Sequence, residues 1–327
     1  MSIGSFGRKS LTSAEADAGG HVQPRVCSIG LVGVPFDRGA SLRGASLGPA
    51  ALRISGLADT LRGLGHVVVD TGDAVPAPGA LSDPAGMRPF GLVDMTAWAT
   101  AIHDHTLDSL RKRLLPVVLG GDHSIAMGSV AAAQRYAQEM DKDLTVLWLD
   151  AHADFNTPDT TPSGNMHGMP VAFLCGDASL EPILAGRGFQ ALHPGRIHLF
   201  GLRSVDRDER RALRARGLKA YDMRMIDEFG VSALIRDLLR SFDAERTHLH
   251  VSFDLDLIDP LIAPGVGTPV QGGLSYREAH MIMELLFDSG LVGSVDVVEF
   301  NPLLDERGTT ARLAIEMVSS LFGRTIL

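Results

Sequence analysis

The chain has 327 residues, two cysteines and a formal net charge of −9. That charge argues against non-specific nucleic-acid binding and against adhesion to an anionic membrane. Cys27 and Cys175 are too few for a disulfide framework and fit buried free thiols in a reducing cytoplasm. No apolar run reaches membrane-spanning length, and the N-terminal residues lack the apolar segment of a secretory signal.

Residues 1–25, with much Ser, Gly and Ala, read as a mobile arm, and residues 26–327 as a single catalytic domain. The apolar run 26–34 predicts a first buried strand, stopped by the breakers of 35–39. Gly48-Pro49 opens a helix over 48–62, with Pro in the first turn where its missing N–H costs little. A short strand at 66–70, a loop over 71–91 and a helix over 94–113 follow. The strand 114–119 runs into Gly120-Gly121-Asp122-His123-Ser124, and a helix spans 124–140. The strand 144–149 delivers Asp150, His152 and Asp154. Beyond it come an apolar helix at 168–176, a strand at 196–203, a charged helix at 206–216 and a short strand at 218–222. The helix 231–242 is amphipathic at helical spacing. The strand 247–253 ends in Asp254-Leu255-Asp256, and Ser275 with Glu278 caps a helix over 275–289. A last strand, 293–298, delivers Glu299 before the closing helix 309–322. Strands alternating with helices predict a three-layer α/β/α fold around a mostly parallel, twisted sheet. Ligands of such sheets bind outside the carboxyl ends of the strands, where these polar clusters fall.

Asp150, His152 and Asp154 alternate; an extended backbone would project all three to one side. Asp254 and Asp256 alternate in the same way, whereas Asp259 before Pro260 reads as turn chemistry. Two carboxylates sharing one face repel unless a cation sits between them. His123 alone fits a helix-entry hydrogen bond better than a ligand role. Together, His123, Asp150, His152, Asp154, Asp254 and Asp256 carry too many carboxylates for one transition metal and match two metals with bridging aspartates. Oxygen-rich ligation favours Mn²⁺ over Zn²⁺. Such pairs, roughly 3.5–4 Å apart, supply hydroxide at neutral pH. Four aspartates against two divalent ions suit hydrolysis of a cationic or neutral substrate.

GGDHS, DAHAD and SFDLDLIDP, in this order, resemble the ureohydrolases, which are dimanganese amidinohydrolases. The resemblance spans residues 26–327. DFNTPDTTPSGNMHG and GLRSVDRDE resemble the arginase branch in particular. It implies hydrolysis of L-arginine to L-ornithine and urea by a hydroxide bridging two Mn²⁺ per subunit, in a homo-oligomer, trimeric or hexameric. By similarity, His123, Asp150, Asp154 and Asp254 hold one ion; Asp150, His152, Asp254 and Asp256 hold the other. Asp150 and Asp254 would bridge. Asp154 would pass a proton to the leaving amine, His167 would shuttle protons, and Glu299 would receive the guanidinium. Asn156, Ser163 and Asn165 match positions for the substrate α-carboxylate, Asp206 and Glu209 those facing its α-amino group, and Thr268 a position near the guanidinium end. Agmatine or guanidinobutyrate, lacking the α-amino-acid group, are the alternative substrates. A catalytically silent relative is the other reading, opposed by the intact ligand set.

Overall fold

The computed structural model describes residues 26–82 and 92–325. The predicted arm, residues 1–25, lies outside them. The first strand, β1 (Ser28–Gly33), leads through the loop 34–44 to α1 (Gly48–Ile54) and α2 (Leu57–Gly63). One helix was expected here. Gly56, at φ 90°, breaks it in two, a conformation glycine enters without steric cost. β2 (Val67–Asp73) runs three residues past its expected end, and α3 (Leu92–Arg111) is followed by β3 (Leu115–Leu119). Next come α4 (Ala126–Glu139), β4 (Asp143–Leu149), the five-residue α5 (Pro170–Leu174) and β5 (Ile197–Leu202). The helix α6 (Arg207–Arg216) and the short β6 (Lys219–Asp222) precede α7 (Met223–Phe229). α7 was not foreseen; Asp222 caps it by accepting from Met225 N at 2.9 Å. The chain closes with α8 (Val231–Arg240), β7 (Thr247–Asp254), α9 (Tyr276–Ser289), β8 (Val292–Val298) and α10 (Thr309–Leu321).

The eight strands form one sheet in the order β2-β1-β3-β8-β7-β4-β5-β6. Every pairing between them is parallel. Both faces are covered, as the near-continuous apolar runs require. Leu147, Leu149, Val251 and Phe253 pack with α8, α9 and α10 on one face; Val146, Trp148 and Leu199 pack with α3, α4 and α5 on the other.

Register decides where the site forms. Leu149 pairs with Phe253, Asp254 with Val298, and Leu119 with Val297. The four central strands therefore end level with one another. Asp150 follows β4 directly, Asp254 ends β7, Glu299 follows β8, and His123 lies one short turn beyond β3.

Candidate metal centre

Three of these strand ends share one local device. After each, an aspartate folds its carboxylate back onto the N–H two residues on. Asp122 Oδ1 accepts from Ser124 N at 3.1 Å, Asp150 Oδ1 from His152 N at 2.6 Å, and Asp254 Oδ1 from Asp256 N at 2.8 Å. Closing such a turn is a common local preference of Asp. The expectation of an extended alternation is thus corrected. Residues 150–152 bend, Asp154 sits at φ 48°, and Leu255–Leu257 form a 3₁₀ turn. The ligand-type side chains converge because the chain turns; the turns at Asp150 and Asp254 use Oδ1 and leave Oδ2 for the cluster, whereas Asp122 Oδ2 accepts from Gly39 N.

His123 Nδ1 lies 3.1 Å from Asp150 Oδ2, 3.2 Å from Asp154 Oδ2 and 3.1 Å from Asp254 Oδ2. One imidazole nitrogen cannot serve three carboxylate oxygens, and this buried atom makes a hydrogen bond to none of them. A divalent cation among the four groups satisfies all of them, so the donor set fits a metal. His152 Nδ1 lies 3.0 Å from Asp256 Oδ2 and 3.4 Å from Asp150 Oδ1. Among the described residues the donors fall into two groups, His123/Asp150/Asp254 and Asp150/His152/Asp256. Asp150 belongs to both. Asp254 falls in the first, and Asp154 reaches that group beside His123.

The electrostatics express the same crowding. Burial pushes the Asp154 carboxyl up to about 6, with the Asp150 charge adding to it. Burial, Asp256 and Asp150 drive Asp254 well above the carboxylate range. Burial acts on Asp150 in the same sense, but His123 and His152 outweigh it and hold Asp150 low. Burial would lower His152, yet Asp256 and Asp150 push it up to about 12. Without a metal, protons do the neutralising.

A cleft of about 590 Å³ opens on these donors. His152, Asp154, Asp254 and Glu299 line it, and so do Asn156, Ser163, His167, Asp206, Glu209 and Thr268. Thr161, Pro162, Gly168 and Ser204 complete it, none of them singled out from sequence. Asn165 is absent from the lining; its Oδ1 accepts from Ser41 Oγ at 2.8 Å. Glu299 Oε1 accepts from His123 N at 2.8 Å and lies 2.9 Å from His167 Nδ1. Burial would lower His167, but the Glu299 charge pushes it up to about 9. Asn156 Nδ2 donates to Asp206 Oδ2 at 3.0 Å. Both Glu209 oxygens are taken by backbone, from Phe155 N at 2.8 Å and Asp206 N at 3.0 Å. Thr268 Oγ1 donates to Asp256 Oδ2 at 3.2 Å. Asp154 and Glu299 are both non-glycine residues at positive φ, a strained conformation that clusters at functional sites.

Two supporting residues escaped the sequence reading. Trp148 stacks on His123 with ring centroids 4.0 Å apart and donates from Nε1 to Asp150 Oδ2 at 2.9 Å. Ser252 Oγ lies 2.8 Å from His123 Nε2, fixing the far side of that ring. Each precedes a ligand-type aspartate by two residues, so strand periodicity alone places it on the same face.

The fold and donor set define a parallel α/β protein with a carboxylate-rich centre suited to two metal ions. The arginase-family profile matches residues 27–323. A Brucella melitensis protein named arginase is 44% identical over 300 residues, covering 91% of this chain and 96% of that one. The solved arginase from Bacillus caldovelox aligns with a TM-score of 0.83 at 36% identity, covering 92% of this chain and 100% of that one. A structure described as a hypothetical agmatinase from Burkholderia thailandensis aligns less well, at TM-score 0.68 and 26% identity over 90% of this chain and 85% of that one. This chain belongs to the arginase family.

Proposed function

We propose that this chain hydrolyses L-arginine to L-ornithine and urea, as a cytoplasmic homo-oligomer, trimeric or hexameric, with two Mn²⁺ per subunit. One observation carries the reading: a single cleft brings the metal donors His152, Asp154 and Asp254 together with Glu299 and with Asn156, Ser163 and Asp206. Two divalent ions held there would supply hydroxide at neutral pH by lowering the pKa of a bound water. His123, Asp150, Asp154 and Asp254 would hold one ion, and Asp150, His152, Asp254 and Asp256 the other. Glu299 takes the guanidinium through Oε2, since Oε1 is already held by His123 N and His167. A guanidinium N–H makes a charge-assisted hydrogen bond to that free carboxylate oxygen. Asn156 and Ser163 receive the α-carboxylate, while Asp206 and Glu209 face the α-amino group, Glu209 acting through the backbone of Phe155 and Asp206. Thr268 holds Asp256 near the guanidinium end. Asp154 accepts a proton and passes it to the departing amine. His167 exchanges protons with solvent, a role its half-buried position supports.

A second reading, hydrolysis of agmatine or guanidinobutyrate, draws on the position of Asn165 outside the cleft lining. Urea release from arginine, agmatine and guanidinobutyrate by Mn²⁺-loaded protein separates the two. Arginine is the expected preferred substrate; a preference for agmatine overturns the reading.

A further inference from the structure

Arg203 follows β5 and carries no role in the site described so far. Its guanidinium is spent on main-chain carbonyls. Nη2 donates to Asp256 O at 2.5 Å and Val270 O at 2.8 Å; Nη1 donates to Leu257 O at 3.1 Å and Gly201 O at 3.4 Å; Nε donates to Val270 O at 3.1 Å. Among the described residues no carboxylate oxygen lies within 4.0 Å of it. Room is left for the fork, since a Cβ at Gly273 would come 2.7 Å from Nη2.

These bonds close a ring. The Arg203 backbone N donates to Ala151 O at 2.9 Å. Ala151 N donates to Asp256 Oδ1 at 3.1 Å. Asp256 O then accepts from Arg203 Nη2. Three strand exits, after β4, β5 and β7, are tied together through one side chain. The carbonyl of Val270 anchors the loop that carries Thr268, which donates to the other oxygen of Asp256. Of the ligand-type residues, the ring bonds directly to Asp256, and through Ala151 it holds the turn between Asp150 and His152; among the described residues none of its bonds goes to His123, Asp154 or Asp254. His123, which belongs to the other group alone, is braced elsewhere, by the Trp148 ring, Ser252 Oγ and the Glu299 carboxylate.

We propose that Arg203 is a positioning residue for the second metal alone: it presets Asp256 and the turn at residues 150–152, so that the Asp150/His152/Asp256 group is preformed. This rests on the two-metal reading above. The planar fork is essential to it. An ammonium carries its donors on one atom and cannot reach four separated carbonyls. Loss of an outer partner of a metal ligand costs on the order of 10–100-fold in affinity.

The test is a Mn²⁺ titration of full-length protein, counting ions per chain, on wild type, Arg203→Lys and Arg203→Gln, with circular dichroism of each metal-free protein. Wild type binding two ions supports the two-metal reading; wild type binding fewer sinks that reading and the proposal with it, whereas the variants test the proposal alone. The expected result is a second ion weakened about 10–100-fold in both variants, with the first unchanged. Arg203→Lys combined with His152→Ala should lose no more than His152→Ala alone, because both act on one ion. Combined with His123→Ala it should lose both ions. Two ions at wild-type affinity in Arg203→Lys overturn the proposal. So does parallel weakening of both ions, or failure of both variants to fold, which would make Arg203 a strut of the fold.

Discussion

The segment after β4 divides into two regions built on different principles. Residues 150–155 are held from all sides. Asp150 takes bonds from His152 N and Trp148, Ala151 binds Asp256 and Arg203, and Phe155 N binds Glu209. Residues 157–165 bond mostly to themselves. Thr157 N donates to Thr160 Oγ1, Gly164 N to Thr161 Oγ1, and Asn165 N to Ser163 Oγ. Asp150 is fully buried, whereas Pro162, Ser163 and Gly164 are exposed. The first region has a geometry set by the sheet and cannot be altered cheaply. The second is free to vary, because little else depends on where it lies. On the function proposed above, metal chemistry belongs to the first and substrate choice to the second.

The largest effects should come from breaking the rigid region. Asp150→Asn should abolish turnover and lower bound metal toward zero, since Asp150 serves both donor groups. Metal analysis after dialysis measures it, and a variant retaining two ions would remove Asp150 from its shared place. Glu299→Ala should also abolish turnover, but with two ions still bound. Loss of both metals there would mean that Glu299 acts through His123 N and not on substrate.

Next comes pH. Ligation needs neutral imidazoles and ionised carboxylates. Burial works against the charged form of His152, but Asp256 and Asp150 push it up to about 12 in the metal-free protein. Burial brings Asp154 up to about 6. Near neutral pH, metal must therefore displace protons from the imidazoles, and below about pH 6 it must also displace one from Asp154. Apparent Mn²⁺ affinity should rise with pH from 6 to 8, with net proton release. Calorimetry in buffers of different ionisation enthalpy counts those protons. Zero release would show that the cluster is already in its ligating state.

Asn156, at the junction of the two regions, answers to a different perturbation. Asn156→Ala removes an amide that lines the cleft and donates to Asp206. One hydrogen bond is worth about 0.5–1.5 kcal/mol, or roughly 2–10-fold in KM for arginine. Metal content and agmatine turnover should not change. An equal loss on agmatine would detach Asn156 from the α-carboxylate.

The same division governs what could be read from sequence. The six ligand-type residues were legible because each follows an apolar strand run, and a parallel sheet brings its strand ends together. Their means of convergence was not. Alternation suggested extended chain, while the short-range pull of Asp toward its own backbone produced turns at Asp122, Asp150 and Asp254. α7 was hidden because the short strand before it ends in Asp222, which is also the helix cap. Arg203 and Glu209 bond to backbone atoms of distant residues, and no residue pattern records a main-chain partner. Asn165 was grouped with Asn156 and Ser163 by spacing, but its amide oxygen faces Ser41, 124 positions away.

That last contact allows the mildest test of the comparison. Among the described residues, Ser41 Oγ reaches Asn165 from the loop after β1, and His167 N donates to Gly39 O of that same loop at 3.2 Å. Gly39 N is in turn bound to Asp122 Oδ2 at 2.7 Å. The loop after β1 is thus fastened to the rigid region and lends a little of that rigidity to the substrate segment. Ser41→Ala cuts the tie at its exposed end, where water can replace the lost hydroxyl. A partner lost at an exposed position costs less than a buried one, so the effect should sit at the low end of about 0.5–1.5 kcal/mol. That corresponds to a KM for arginine raised about twofold, with kcat and metal content unchanged. Steady-state kinetics on arginine and agmatine reads it directly. An effect larger than that of Asn156→Ala would mean that the segment 157–165 is positioned from outside and is not the independent half of the site. A fall in kcat instead of a rise in KM would show that Ser41 acts through Asn165 on His167, whose Nε2 lies 3.5 Å from the Asn165 amide.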